Sequence, residues 1–252
     1  MKKLLIVISI LSIAISCKKV DPQIEWPDEP MPIFEAIFLL PKEDKVGEFI
    51  ENVKNHNEKY HNKTEGTSTS LRYITAGAKS GYYVWVEGPM SLAYIDEKSS
   101  VAGHQEDWQT NVAPLIKKEG GANFYRLATP LSYTSSSANY SANVLDVRAY
   151  SVKEGRGNGQ KVNILLHKFK KAFEAGKSDR EWRTFSPIRD DGSNRDFYIV
   201  WPLESMAQFD TWDFNVNKYL DEIYGKNANQ EIWKQWNDLV NLEESDFRML
   251  VK

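Results

Sequence analysis

Residues 82–90, Y-Y-V-W-V-E-G-P-M, and residues 198–206, Y-I-V-W-P-L-E-S-M, share tyrosine, valine, tryptophan and methionine at one constant offset of 116. Tyr82 aligns with Tyr198, Val84 with Val200, Trp85 with Trp201 and Met90 with Met206. The same offset aligns Val46 with Val162, Phe49 with Leu165, Ile50 with Leu166 and Val53 with Phe169. Those upstream residues recur at helical spacing, whereas the tryptophan segments read as strands. A later offset of 125 aligns Gln105, Glu106 and Trp108 with Gln230, Glu231 and Trp233, and segment 209–229 supplies the extra residues. Amphipathic patterns align apolar residues by chance. Two tryptophans recurring in matching elements argue instead for a duplicated unit.

Outward from these segments, 33–40 reads as a strand, 46–61 as a helix, and 71–75 and 82–87 as strands. A second helix is expected at 107–116 and a fourth strand at 123–131, giving the order β-α-β-β-α-β. The second half repeats it, with a strand at 144–152, a helix at 161–175 and strands at 181–186 and 196–201. The turn-rich 190–194 joins those two strands, a helical region runs to about 242, and a strand covers 247–251. The Ser- and Asn-rich stretch 134–143 links the halves. A β-α-β-β-α-β unit is the ferredoxin-like motif, whose sheet carries helices on one face and must bury the other. The expected fold class is therefore α+β, with two fused ferredoxin-like repeats, 33–133 and 144–252, packed sheet to sheet. In both copies the third strand is apolar at consecutive positions, as when both faces are covered.

The 252 residues are 41% hydrophobic and 27% charged, which excludes a fibrous repeat, a disordered chain and a multi-pass membrane protein. A net charge of −3 gives no basic field to follow a phosphate backbone, so nucleic acid is not an expected partner. Lys2 and Lys3 precede an apolar run from Leu4 to Ile15, the length of a signal h-region and too short to span a bilayer. The run leads through Ala14, Ile15 and Ser16 to Cys17, the chain's one cysteine. This segment resembles the bacterial lipoprotein signal, with Ala14 where that pattern favours leucine. The resemblance implies cleavage after a signal peptide of 1–16 and acylation of Cys17 by palmitate-type chains. It implies a protein held on the bacterial envelope, at the outer membrane. The plain alternative, ordinary secretion, leaves Cys17 an unpaired thiol in an oxidising compartment. Each buried methylene of an acyl chain contributes about 0.8 kcal/mol to such an anchor. Loss of the two lysines of 1–16 takes the formal charge from −3 to −5. The Pro- and acid-rich 17–32 then reads as an extended lipidated tether.

With the repeat and its strands in place, the body resembles the dimeric α/β-barrel superfamily in a fused, two-copy form. Leu145-Asp146-Val147-Arg148-Ala149-Tyr150, followed by Val152-Lys153-Glu154-Gly155-Arg156, resembles the opening strand of NIPSNAP-type domains. The first repeat departs from it, with Ile37 and Leu39 where the arginine and tyrosine would fall. The superfamily contains cofactor-free monooxygenases, haem-degrading enzymes and haem peroxidases. It also contains domains without activity, so the resemblance implies a site location and no chemistry.

Strand alternation suggests that Leu145, Val147 and Ala149 lie under the helices while Asp146, Arg148 and Tyr150 point into the barrel. The matching inward residues of the first repeat are then Glu35, Ile37 and Leu39. Glu35 and Asp146 become pseudo-equivalent acids, and Arg148 could pair with either or clamp a ligand carboxylate. The structural alternative is a buried, mutually neutralised network. Trp85 and Trp201, with Tyr83 nearby, are either core or aromatic walls around a flat ligand. His56, His61, His104 and His167 are expected in solvated or capping roles. His56 and His61, five residues apart, do not share a helical face. With no HxxxH or CxxC spacing, no metal site is expected. Residues 155–159, G-R-G-N-G, lack phosphate-loop spacing, and no GxSxG elbow occurs. The aromatic C-terminal helix is expected to pack on the sheet.

No catalytic constellation emerges, and no cofactor is called for. The expected function is an envelope lipoprotein that binds a small molecule or serves as an interaction module. The alternative is a cofactor-free oxygenase or a haem-handling enzyme using the barrel cavity.

Overall fold

A computed structural model describes residues 23–61, 67–99, 101–134, 142–189 and 193–252. The signal segment 1–16, Cys17, the start of the tether and most of the linker lie outside the described residues. The first half runs β1 Ile33–Pro41, α1 Val46–Tyr60, β2 Ser68–Ala76, β3 Tyr83–Met90, α2 Leu92–Ser99 and α3 His104–Asp107. A π turn Trp108–Val112 and a 3-10 turn Ala113–Leu115 lead into β4 Ile116–Glu119 and β5 Asn123–Leu127. The second half runs β6 Val144–Val152, α4 Asn158–Gly176, β7 Arg183–Pro187, β8 Phe197–Leu203, α5 Val216–Tyr224, α6 Ala228–Leu239 and β9 Val240–Leu250.

The strands pair antiparallel in the order β3-β2-β9-β6-β8-β7-β5-β1, and β1 pairs with β3 to close the ring. The result is an eight-stranded closed barrel in an α+β chain, with β4 as an extra strand beside β1. Within the ring, β1 lies between β3 and β5, and β6 between β8 and β9. The seams β2–β9 and β5–β7 join the two sets of four. Closure leaves no barrel strand with an unpaired edge.

Helices cover the outside of the barrel. On the first half, Phe49 and Val53 of α1 are fully buried against Leu39, Leu71, Tyr83 and Trp85. On the second, Val162, Leu165, Leu166 and Phe169 of α4 pack with Leu220, Ile232 and Trp236 over Tyr150, Phe197 and Ile199. The apolar stripes seen in the sequence are therefore these helices' inner faces, and the C-terminal helix packs on the sheet as expected.

Three readings are corrected. First, the strands alternate in the opposite phase. Leu145 and Val147 line the barrel interior with Phe34, Ala36, Tyr125, Phe185, Tyr198 and Val200. Glu35, Ile37 and Leu39, and likewise Asp146, Arg148 and Tyr150, face the helices. The interior is mixed, because Arg72, Arg183 and Arg248 border it beside these aliphatic and aromatic side chains. Gaps between helices give Glu35 its partner Lys98 and leave the Arg148 side chain 40% exposed. Second, Glu35 does not share Arg148 with Asp146. Third, 107–116 is not one α-helix. Pro114 lacks an amide hydrogen and clashes with the preceding turn, so the helix passes through π and 3-10 turns instead. The last strand is also longer than expected, because pairing with β6 extends it back to Val240.

Candidate metal centre

The buried stripe of α1 continues from Phe49 and Val53 to His56 and Asn57. His61 follows as the helix C-cap, its backbone N–H donating to the Asn57 carbonyl. These side chains meet the outer face of β3, where Trp85 and Glu87 alternate. The Trp85 indole N–H donates to Asn57 Oδ1 at 2.8 Å, fixing α1 on the sheet. Across the gap stands α3, entered through Gly103. This glycine has φ 79°, a left-handed conformation open to glycine at little cost, and it turns the chain so that His104 starts the helix.

Three histidines converge there. His61 Nδ1 lies 2.8 Å from Glu87 Oε1, and His56 Nδ1 lies 2.8 Å from Asp107 Oδ2. His104 Nε2 lies 3.0 Å from His61 Nε2. One ring nitrogen of each lies within 4.8 Å of those of the other two. Each Nδ1 sits on its acid, which orients the ring and turns Nε2 away from that acid. Burial holds His56 below its ordinary value, outweighing the bond to Asp107. Burial, then the neighbouring His61 and His56, take His104 down to about 4. At neutral pH His56 and His104 are therefore uncharged, the state a metal requires.

The supporting shell is ionic. Glu87 is wholly buried and accepts from His61, from the Tyr94 hydroxyl at 3.0 Å and from Lys98 Nζ at 2.6 Å. Burial alone would raise its carboxyl, but the bonds and charges of His61 and Lys98 outweigh this and hold it below the ordinary value. Lys98 also bonds Glu35 and lies 5.5 Å from the Trp85 ring centroid. Asp107 accepts further from Asn111 at 3.1 Å and Lys59 at 3.4 Å. The histidines open onto a cavity of about 320 Å³ walled by Ile37, Ile95, Trp108 and Gln109.

This donor set suits one small ion. Tetrahedral bonds of 2.0–2.1 Å put ligand nitrogens roughly 3.3 Å apart, so shifts of an ångström or so would close the cluster. Three imidazoles with carboxylate partners and a cavity beyond them match a centre with an open fourth position. Three ring nitrogens within 4.8 Å of one another suit a single ion between them rather than the plane of a macrocycle. The remaining histidine, His167, bonds the Pro130 backbone and is not part of the corresponding pocket of the second half.

The residues expected at one site are split between the halves. Glu35 and Trp85 line the histidine cavity. Tyr83 packs in the core beside Phe49, ring centroids 5.4 Å apart. Arg148, Tyr150 and Trp201 line a separate cavity on the second half, and Asp146 bonds Arg148 at 2.8 Å. His56, His61, His104, Glu87 and Asp107 were not anticipated as a group. His56 and His61 are buried rather than solvated. The five-residue spacing misled because His61 lies beyond the helical turn, at the cap.

No family model matches the sequence, and no curated protein resembles it. Solved structures do share its fold. A proposed monooxygenase from Lactobacillus acidophilus superposes with TM-score 0.53 at 14% identity, covering 88% of this chain and 93% of its own. A chlorite dismutase from Candidatus Nitrospira defluvii, in complex with imidazole, gives 0.52 at 9%, covering 89% and 93%. A haem-binding protein from Thermus thermophilus gives 0.51 at 9%, covering 89% and 92%. The fold is that of dimeric α/β-barrel proteins.

Proposed function

We propose that this chain is an envelope-anchored metalloprotein in which His56, His61 and His104 hold one divalent transition-metal ion. The observation that carries the reading is the convergence of three imidazoles, two of them clamped by Glu87 and Asp107. Imidazole donors suit zinc, copper, iron or nickel rather than calcium or magnesium. Such an ion polarises an oxygen ligand or activates a bound water. Glu87 and Asp107 orient two of the donors, Lys98 bridges Glu87 and Glu35, and Ile37, Ile95 and Trp108 shape an apolar approach for a small molecule. The body is read as tandem ferredoxin-like units, 33–133 and 144–252; the matching neighbours of β1 and β6 support this. Cys17 carries the lipid that holds the domain at the membrane.

The test is metal titration by calorimetry, with stoichiometry by elemental analysis and the visible spectrum of the cobalt form. Wild type should take up one equivalent and show tetrahedral cobalt bands. His104→Asn, at the half-buried member, should weaken binding by more than the roughly 10- to 100-fold that loss of an outer-shell partner costs. Absence of stoichiometric uptake, or wild-type affinity in His104→Asn, would overturn the proposal. A second reading, oxidation of a small organic molecule without a metal, draws on the fold shared with the proposed monooxygenase. Turnover surviving in the metal-free His104→Asn protein would favour it.

A further inference from the structure

The barrel interior gathers three arginines around one cavity of about 110 Å³. Along β2, Ser68, Ser70 and Arg72 line it, while Leu71 between them packs outward with Phe49 and Val53 of α1. Arg248 of β9 lies diagonally beside Arg72 on the same inner face, because Arg72 pairs with Leu250 and Ile74 with Arg248. Arg183 comes from β7, which stands across the ring from β2, beyond β9, β6 and β8. Arg72 and Arg183 are 1% and 3% exposed. Burial, then the charges of Arg248 and Arg183, bring the Arg72 guanidinium down to about 10, so the three charges act on one another inside the ring.

The rest of the lining selects the ligand. Among the described residues no carboxylate borders this cavity. Asp246 accepts from Arg248 Nε at 2.7 Å and Nη2 at 3.0 Å, and Glu181 from Arg183 Nη2 at 3.2 Å, but neither acid is in the cavity wall. Arg72 Nη1 donates to the Ala142 carbonyl at 2.8 Å. A guanidinium carries five N–H donors, so Asp246 leaves Arg248 with donors for a further acceptor. Like charges gathered away from water are relieved by an anion placed among them. Phe34, Val86, Leu145, Val147, Phe185 and Val200 complete the wall, which favours an anion with an apolar tail over a bare inorganic ion. A cavity of about 150 Å³ admits benzene, so this smaller one suits a tail of about three carbons. Ser68, exposed at the start of β2, marks the mouth.

We propose that the barrel interior binds a short-chain monocarboxylate, its carboxylate among Arg72, Arg183 and Arg248 and its tail against Leu145, Val147 and Phe185. The site lies on the inner face of the barrel, separated by the sheet from the histidine cluster under the helices, and it needs no metal.

The test uses butyrate and butyramide, which match in shape and differ in charge. In calorimetry the purified protein should bind butyrate at one site, about tenfold or more above butyramide, for charge-assisted hydrogen bonds in place of neutral ones. Arg72→Met should bring butyrate down to the affinity of butyramide. His104→Asn should leave butyrate binding as in the wild type. In the nitrogen-15 spectrum of the wild type, the Nε–H resonances of Arg72, Arg183 and Arg248 should shift with butyrate, a readout that needs no variant to fold. Absence of saturable butyrate binding, equal affinity for the two probes, or unmoved arginine resonances at saturation would overturn the proposal. So would butyrate affinity lost in His104→Asn, which would put the anion at the histidines instead.

Discussion

Glu87 accepts from His61, Tyr94 and Lys98 while wholly buried, so its charge is tolerable only with its partners in place. Glu87→Gln should destabilise the fold by about 3–5 kcal/mol, the scale for breaking a buried ion pair. It should also lower metal affinity about 10- to 100-fold by freeing the His61 ring. Denaturant unfolding and calorimetry read the two effects separately, and an unchanged unfolding midpoint would show the network to be inert. The histidines give a pH dependence. His56, His104 and His167 all lie below the ordinary value of 6.5, burial being the largest cause for each. Above 6.5 neither the folded nor the unfolded chain holds these protons. Below it the unfolded chain takes them up first, so stability is lost as pH falls from about 6.5 through the lowered values. Thermal melts of metal-free protein between pH 7 and pH 4 should show this, and His167→Gln should reduce the slope.

At the scale of elements, the barrel depends on its seams. Gly77 follows β2 with φ 98°, and a Cβ there would come 2.4 Å from the Ser245 backbone oxygen of β9. Gly77→Ala should therefore cost about 2 kcal/mol or more, through the left-handed strain and the backbone collision together. Urea titration would check it, and a loss below about 0.5 kcal/mol would mean the seam yields freely. Element identity was largely legible. Segment 144–152 is a strand with the expected bounds, and α1 follows the stripe of Val46, Phe49, Ile50 and Val53. His56 falls on that same stripe, seven residues after Phe49, so its burial was readable. The α2 helix was not seen, and Pro114 should have ruled out one continuous helix at 107–116.

At the scale of the molecule, helices wrap both halves of one closed barrel. Among the described residues no helix is long and apolar enough to cross a membrane. Attachment in the proposed reading depends on Cys17, and Cys17→Ser should move the protein from the membrane fraction to the soluble envelope fraction. Cell fractionation with intact-mass measurement tests this. A membrane-bound variant, or a wild type without acyl mass, would sink the lipid anchor.

What the sequence determined by itself was most of the strands and helices, the inner faces of α1 and α4 and the α+β class. These follow from neighbours two to four residues apart, whose periodicity is written in the chain. The facing of the strands was not determined, because alternation fixes two faces without saying which one the barrel encloses. The histidine centre was decided by tertiary structure alone. His61 and His104 are 43 residues apart and meet at 3.0 Å. Their contact requires α1 and α3 to dock over the same stretch of β3, and no local pattern encodes that docking.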